Sequence, residues 1–469
     1  MQERALALPA LCLAAACASP EALAPVSGER PADSIPAVDQ NPHPDIVEVS
    51  LIAEAATVEY LPGRPASVWA YRDGAAPGAA ARVPGPLIEA KQGDLVIVHF
   101  RNELVDDGTT VHFHGVRLPA EMDGAHHALL PGEEFDHVFV AKDAGTFWYH
   151  PHVRADEQIE RGLYGALHVR DREAQRSPAE RVLVLDDVKL AEDGDLAGAW
   201  TDLDIAFGRQ GNTLLVNGVP VPTLRTGAGS RERWHLVNSS NGRFFELELA
   251  GRTFEVIGWD GGRINEPYIV ETLPIAPGER YDVLVDVGGA PGDRIELRTL
   301  PSVHNHAAPG SVPEVLLKVE IDEGGPRDAA PGQASPILPL PIDDATPTRA
   351  FALTEDIEGK YGPQFFINGE FWPFNVPIQA TLGDVEIWEI RNESDGAHPF
   401  HLHGMFFQVL SRDGEPENRL GWKDTVVVPG WGTLRFAVQY DEPGRWMYHC
   451  QIPEHAERGM MGEVLVTAP

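Results

Sequence analysis

The stretch GDLVIVHFRN at residues 93–102 decides the fold, because it recurs as GDVEIWEIRN at residues 383–392 with the same internal spacing. Short alternating stretches of this kind dominate the chain after about Pro44, and residues 281–286 (YDVLVD) are another example. A period of two is typical of β-strands. Turn signals such as Pro131-Gly132 separate the stretches. The pattern therefore predicts a series of β-sandwiches.

A third, partial copy lies between these two. Residues 229–238 (GSRERWHLVN) repeat the Gly-to-Asn stretch, and Asn217-Gly218 mirrors Asn368-Gly369 in the last copy. Repeats at this scale indicate one structural unit each. We expect domains at 45–172, 178–322 and 346–469, with a Pro/Gly-rich linker at 323–345. No His-x-His follows the middle copy at the equivalent spacing, so we expect no metal ligands there.

Composition narrows the class of protein. Hydrophobic residues make up 43% of the 469 residues and charged residues 23%, which is ordinary for a globular chain. The 46 glycines and 40 prolines favour turn-rich β architecture. The formal net charge of −34 would repel phosphate backbones and excludes nucleic-acid binding. Beyond the N-terminus no apolar run reaches the roughly 18 residues of a membrane-spanning helix.

The N-terminus has the layout of a secretory leader. Arg4 precedes an alanine-rich apolar run at residues 5–16, and residues 22–24 (ALA) fit a small-x-small cleavage site. The alternative is a lipobox-like sequence that ends at Cys17, which would become a lipid anchor. We predict a leader at 1–24 and export to the periplasm, the cell envelope or the medium. Cys450 is then the single remaining thiol.

Three His-x-His pairs stand in equivalent places of the outer copies. They are His112/His114, His150/His152 and His401/His403. Residues i and i+2 of a strand point to the same face, so each pair directs two imidazoles at one point. One pair alone would more often be two polar side chains on an outer face. Three equivalent pairs instead predict a metal cluster shared by the first and third domains.

A fourth element follows the last strand signal. In HCQIPEHAERGM (residues 449–460), His449 and Gln451 share one strand face and Cys450 lies on the other. His398 can join Cys450 and His455, with Met460 close enough to cap the set. Two histidines, a thiolate and a weak axial thioether are the ligands of a blue-copper centre. Zinc also binds Cys/His sets, but it would leave the other motif histidines unused.

These four motifs, in this order, resemble the three-domain, laccase-like multicopper oxidases. The resemblance implies three consecutive cupredoxin-like Greek-key β-sandwich domains, four coppers, dioxygen as a partner and a small reducing substrate. Its reaction is one-electron oxidation at a type 1 copper coupled to four-electron reduction of O2 to water at a trinuclear cluster. The implied ligands are His398, Cys450, His455 and Met460 for type 1; His112 and His401 for type 2; His114 and His150 for one type 3 copper; and His152, His403 and His449 for the other.

The sequence departs from this family at Gln451, where the family has histidine. A neutral amide oxygen is a harder and weaker copper ligand than imidazole, so we expect an asymmetric type 3 pair. His126-His127 are conceivable substitute ligands, although the ordinary interpretation is a surface loop. In relatives a carboxylate at the position of Asp123 lies near the type 2 copper. Asp123 is thus a candidate proton relay, with a turn residue before Gly124 as the alternative.

The electron donor is left open by the sequence. Six methionines form no methionine-rich segment, which argues against a dedicated Cu(I) oxidase. Phenols, aromatic amines and metal ions remain as donors. An alternative function is a copper-binding or electron-transfer protein whose trinuclear site is impaired by Gln451. A scaffold that has lost its coppers is a third class, disfavoured by the nearly complete ligand set.

Overall fold

The computed structural model describes residues 33–173, 177, 179–305, 310–328 and 336–469, and it is built almost entirely from β-strands. Six sheets follow one another in pairs along the chain. This confirms the all-β prediction. The predicted leader and Cys17 lie outside the described residues. We keep the domain limits 45–172, 178–322 and 346–469 as a proposal, since the sheets pair along the chain in this way.

The first unit consists of two four-stranded sheets, ordered β2-β1-β4-β6 and β3-β8-β7-β5. A short 3-10 helix, Ala120–Met122, lies between β5 and β6. The elements of this unit are β1 (Ile46–Leu61), β2 (Arg64–Asp73), β3 (Ile88–Lys91), β4 (Leu95–Asn102), β5 (His112–His114), β6 (Glu134–Val140), β7 (Gly145–His150), α1 (Ala155–Glu160) and β8 (Gly165–Arg170).

The middle unit has a seven-stranded and a five-stranded sheet, ordered β11-β10-β9-β13-β18-β15-β16 and β12-β20-β19-β14-β17. A second 3-10 helix spans Val303–Asn305. The elements are β9 (Glu180–Val188), α2 (Asp202–Phe207), β10 (Thr213–Val216), β11 (Val219–Pro220), β12 (Thr223–Gly227), β13 (Arg231–Asn238), β14 (Phe245–Leu249), β15 (Phe254–Trp259), β16 (Gly262–Val270), β17 (Thr272–Ile275), β18 (Arg280–Asp286), β19 (Arg294–Thr299) and β20 (Glu314–Asp322).

The third unit has a six-stranded and a five-stranded sheet, ordered β22-β21-β24-β29-β26-β27 and β23-β31-β30-β25-β28. Its elements are β21 (Thr348–Asp356), β22 (Gln364–Ile367), β23 (Ile378–Thr381), β24 (Val385–Asn392), β25 (His398–Leu402), β26 (Phe407–Arg412), β27 (Glu415–Pro416), β28 (Thr425–Val428), β29 (Thr433–Gln439), β30 (Gly444–Cys450), α3 (Pro453–Glu457) and β31 (Met461–Thr467).

The repeated stretch occupies the same position in each unit. Strands β4, β13 and β24 pair in parallel with the first strand of their unit, β1, β9 and β21. The asparagine that closes each copy is buried, and its side-chain amide donates to two loop carbonyls: Asn102 to Asp107 and Leu129, Asn238 to Arg243 and Ile275, and Asn392 to Gly396 and Val428. Asparagine recurs there because it satisfies backbone groups that would otherwise be buried unpaired.

The apolar core joins the outer units. One cluster of buried side chains runs from the first unit, for example Phe113, into the third, for example Phe400, while most of the middle unit packs around a cluster of its own. Burial of the apolar surface in this shared cluster stabilises the contact between the first and third units. The strands β5, β7, β25 and β30 lie at that junction. No helix among the described residues has the length and apolar character needed to cross a membrane.

Candidate metal centre

The strands at the junction carry the motif histidines in register. In the first unit His112 of β5 lies opposite His150 of β7. In the third unit His401 of β25 lies opposite His449 of β30. Because both pairs lie on adjacent antiparallel strands, each unit presents its imidazoles as one compact group. His152 follows β7 directly and is partly buried.

The two groups interleave across the junction. The rings of His112 and His403 stack at 3.9 Å between centroids, and those of His114 and His401 at 3.7 Å. His449 Nε2 lies 3.2 Å from His152 Nε2 and 3.0 Å from His403 Nε2. The structure thus brings all seven predicted cluster histidines together, namely His112, His114, His150, His152, His401, His403 and His449.

Backbone carbonyls hold one ring nitrogen of several of these histidines. Nδ1 of His112 donates to Asp123 O at 3.0 Å, and Nδ1 of His401 donates to Asp424 O at 2.9 Å. His150 Nδ1 donates in the same way to the Pro151 carbonyl. Among the described residues, the buried Nε2 atoms of these three histidines have no hydrogen-bond partner. A metal-binding histidine typically donates one ring N–H to a neighbouring acceptor. That hydrogen bond orients the ring and leaves the opposite nitrogen free to bind the metal.

A second group lies on the other face of β30. His398 Nδ1 and His455 Nδ1 are 3.1 Å apart, and Cys450 Sγ is 3.6 Å from each. The outer nitrogens are held: His398 Nε2 lies 3.0 Å from Ser394 Oγ and His455 Nε2 3.3 Å from the Ala206 carbonyl. Met460 is fully buried beside them and its main-chain N–H donates to His455 O. These are the four residues predicted for blue copper.

Burial sets the protonation of both groups. It lowers the pKa of His449 to about 3 and that of His398 to about 4, so these imidazoles are neutral at pH 7 and keep a lone pair for a metal. Burial raises the pKa of the Cys450 thiol, which is therefore protonated without a metal. A metal ion bound by Cys450 must displace that proton.

Gln451 lies where the family has its remaining histidine. Its side chain is buried, and Oε1 has no hydrogen-bond partner in the part of the chain that the structure describes. A Cβ built on Gly278 would come within 2.5 Å of Gln451 Cγ and 3.1 Å of His114 Cε1. Gln451 and His114 therefore both lie against Gly278, and the amide oxygen is available as a ligand.

The loop histidines occupy a different place. His126 and His127 are exposed and line a cavity of about 140 Å³ together with His137. His126 Nδ1 lies 3.6 Å from a carboxylate oxygen of Glu463. Neither histidine is among the described residues that lie next to Gly278 beside Gln451. We therefore interpret His126 and His127 as residues of a surface loop rather than as substitute ligands.

Asp123 ends the 3-10 helix and is 1% exposed. Its carboxylate Oδ2 accepts a hydrogen bond of 2.9 Å from His403 Nδ1, while its carbonyl accepts from His112 Nδ1. Oδ1 lies 3.3 Å from the same His112 nitrogen, but only the carbonyl has hydrogen-bond geometry. The residue is thus both a turn residue and a direct support of one histidine from each outer unit.

Two residues at the cluster were not expected from the sequence. Asp424 contacts His114 and His401, and Arg280 of the middle unit holds the Asp424 carboxylate. Neither belongs to the histidine and cysteine motifs that predicted the metal groups. Gly115, directly after His-Phe-His, is the one sequence feature near them that we can relate to this contact. A side chain there would collide with Arg280, because a Cβ would come within 2.3 Å of it.

The donor set suits copper. Among the described residues, four of the five groups that could hold a metal ion contain only imidazole nitrogens or the Cys450 sulfur; the fifth includes the carboxylate of Asp424, which contacts His114 at Nε2. Imidazole and thiolate are preferred by copper, whereas carboxylate and carbonyl oxygens suit magnesium or calcium. The buried bare nitrogens described above would carry an uncompensated cost without a metal ion to accept their lone pairs.

Comparison with known proteins agrees with this chemistry. Family models described as "Multicopper oxidase" match residues 66–174, 187–293 and 345–469. A multicopper oxidase of Staphylococcus epidermidis is 30% identical over 408 residues, with 82% of each chain covered. The cell division protein FtsP of Escherichia coli is 29% identical, with 89% of each chain covered.

Solved structures show the same likeness. The multicopper oxidase of Campylobacter jejuni, described as a metallo-oxidase, superposes with a TM-score of 0.83 at 25% identity, covering 95% of this chain and 96% of that one. The matches confirm the predicted fold class of consecutive cupredoxin-like domains. The chain belongs to the multicopper oxidases, copper-dependent oxidoreductases with dioxygen as electron acceptor.

Proposed function

We propose that the chain is a laccase-like oxidase that removes single electrons from a small donor and uses them to reduce O2 to water. His398, Cys450, His455 and Met460 would hold a type 1 copper, and His112 and His401 a type 2 copper. The type 3 ligands would be His114 and His150 on one side and His152, His403 and His449 on the other. Copper, when bound, supplies the one-electron redox chemistry that side chains lack.

The adjacency of His449 and Cys450 on β30 carries the proposal. The strand directs Cys450 to the blue-copper group and His449 to the histidine cluster, so one peptide link joins the two groups. His449 Nδ1 also donates to the Cys450 carbonyl at 2.9 Å, which adds a second, hydrogen-bonded link. Two sites that must exchange electrons are thereby connected through a few bonds.

The surrounding residues prepare both groups. Ser394 donates to Asn392 Oδ1, so its hydroxyl oxygen accepts from His398 Nε2 and leaves Nδ1 bare. Asp123 fixes His403 and His112 and is the proposed proton relay for oxygen reduction. All these groups are buried, so no reorganisation of water is needed when a metal ion binds or charge moves.

The donor and the location are part of the same proposal. We infer that phenols, aromatic amines or metal ions are oxidised, and that the chain is exported, with either a cleaved leader or a lipid anchor at Cys17. A net charge of −34 favours cationic donors through the field of the whole surface.

A copper-binding or electron-transfer protein is the second candidate, and Gln451 favours it. With an amide oxygen in place of imidazole, one type 3 position keeps His114 and His150 as its only nitrogen ligands. Weaker ligation there lowers copper occupancy, and an incomplete cluster cannot complete oxygen reduction. The blue-copper group, which shares none of these side chains, would still accept and release electrons.

Copper content, colour and oxygen uptake of the full chain test the two candidates. The oxidase proposal expects about four coppers per chain, the intense blue colour of a type 1 centre, and oxygen uptake with a simple phenol or Fe(II). About one copper with blue colour and no uptake would establish the electron-transfer alternative. Colourless protein without copper would refute both.

Substitutions at Gln451 then test whether its side chain determines copper retention and oxygen turnover. Gln451→His restores the family ligand and should raise copper retention against a chelator and, with it, oxygen turnover. Gln451→Leu has a similar volume without the oxygen atom and should lower both. Equal copper retention in all three proteins would show that residue 451 does not ligate copper.

A further inference from the structure

The carboxylate of Asp424 connects the histidine cluster to the middle unit. Oδ1 lies 3.1 Å from His114 Nε2 and accepts from the Thr425 hydroxyl at 2.8 Å. The same hydroxyl oxygen lies 2.8 Å from His114 Nε2. The Asp424 carbonyl accepts from His401 Nδ1. One residue therefore contacts a histidine from each outer unit.

Arg280, at the start of β18, grips this carboxylate with both of its terminal nitrogens, at 2.6 and 2.5 Å. Its remaining N–H groups donate to the carbonyls of Thr146, Gly278 and Asp260. All five guanidinium donors are used, and the side chain is 1% exposed. Such a buried two-pronged pair is rigid, so Arg280 fixes where the Asp424 oxygens lie.

A second layer of charges fixes the pair in turn. Asp260 accepts from the main-chain N–H groups of Arg280, Asp424 and Thr425. Lys423 Nζ lies 3.1 Å from carboxylate oxygens of both Asp260 and Glu279. Each buried charge in this layer has an opposite charge beside it, as burial requires.

We propose that Arg280 and Asp424 are positioning residues, through which the middle unit determines the metal-binding nitrogens of His114 and His401. The proposal rests on the ligand set given under the proposed function. The Asp424 oxygens can only accept, so His114 must carry its proton on Nε2 and His401 on Nδ1. The opposite nitrogens, His114 Nδ1 and His401 Nε2, are the ones without a partner among the described residues.

This arrangement also bears on the weak side of the cluster. His114 shares its proposed copper with Gln451, the poorer ligand. A carboxylate that accepts from the outer nitrogen of a histidine raises the basicity of the inner one. Asp424 thereby makes His114 a stronger ligand of the same proposed copper for which the amide oxygen of Gln451 is the weak ligand.

The chain contains a matched control for the test. Asp282 in the middle unit also joins a histidine and an arginine: Oδ1 lies 2.6 Å from His235 Nδ1 and Oδ2 2.5 Å from Arg233. His235 and Asp282 are both buried and belong to neither proposed copper group. Asp282→Asn therefore breaks the same kind of triad away from the proposed copper ligands.

The experiment compares Asp424→Asn with Asp282→Asn in the full copper-loaded chain. An asparagine at 424 can donate to His114 Nε2 and so allow the proton to move to Nδ1. We expect Asp424→Asn to keep the blue colour but to lose copper from the cluster, with affinity against a chelator reduced about 10- to 100-fold. Asp282→Asn should keep the copper content of the unsubstituted chain.

Equal copper content and chelator resistance in the two variants would overturn the proposal. If Asp424→Asn does not fold, Arg280→Lys decides, because it keeps the charge and loses the two-pronged grip. Selective loss of cluster copper in Arg280→Lys supports the positioning role, and full retention refutes it. Failure of the proposed function is distinguishable, since the unsubstituted chain would then hold no copper at the histidine cluster, whether or not its blue-copper group is filled.

Discussion

Gly278→Ala should damage the copper cluster although Gly278 supplies no ligand. Its φ is +79°, and a Cβ there would lie 2.5 Å from Gln451 Cγ and 3.1 Å from His114 Cε1. A left-handed backbone costs a non-glycine residue about 1–2 kcal/mol. The forced contact adds about 1–3 kcal/mol, because both neighbours are buried and closely packed.

Gly132→Ala is the control for the backbone cost. Both glycines follow a proline in a turn, and Gly132 has a φ of +86° with no neighbouring atom of the described residues within 4 Å of the added Cβ. Urea unfolding of the copper-free proteins should show the backbone cost in both and the contact cost in Gly278→Ala alone. Copper retention against a chelator should fall only in Gly278→Ala. Equal stability and equal retention would refute the packing argument.

Three further predictions concern other parts of the molecule. Cys450→Ser should abolish the blue colour while cluster copper remains, as measured by the visible spectrum and copper content. Asp123→Asn weakens the hold on His403 and should reduce oxygen turnover or cluster-copper affinity about 10- to 100-fold, measured by oxygen electrode and chelator competition. Burial outweighs Arg209 and raises the pKa of Glu160 to about 7, so the folded chain holds a proton that the unfolded chain releases above its usual pKa. This group alone should lower the free energy of unfolding by about 1–3 kcal/mol from pH 4.5 to pH 7, and Glu160→Gln should remove that contribution, as measured by urea unfolding of both proteins at the two pH values.

The fold could be predicted because its signals are local and repeated. The stretch that ends at Asn102 forms a strand, and its closing asparagine donates both to a carbonyl five residues on and to one 27 residues on. The same arrangement of one short-range and one longer-range bond recurs at Asn238 and Asn392. The grouping of histidines follows equally from strand alternation, which needs no knowledge of distant contacts. Their assignment to individual coppers comes from family resemblance and stays a prediction.

The supporting residues could not be predicted from the sequence, because their partners are far away along the chain. Asp424 and His114 are 310 residues apart, and Asp424 and Arg280 are 144 residues apart. No periodicity marks a charge that becomes buried only when three units assemble. The expectation that the middle repeat supplies no metal ligands therefore left out its other contribution, which is made by contacts and not by a motif.

The middle unit in fact touches both metal groups. At the cluster it supplies Arg280 and also Gly278, which lies next to Gln451 and His114. At the blue-copper group the Ala206 carbonyl of α2 meets His455 Nε2, and His455 is 2% exposed. The Phe365 ring also stacks on His455 at 3.9 Å, so a donor in solution cannot touch this imidazole directly. The middle unit, which supplies none of the proposed ligands, thus covers His455 at the first group and holds the Asp424 carboxylate that contacts His114 at the second.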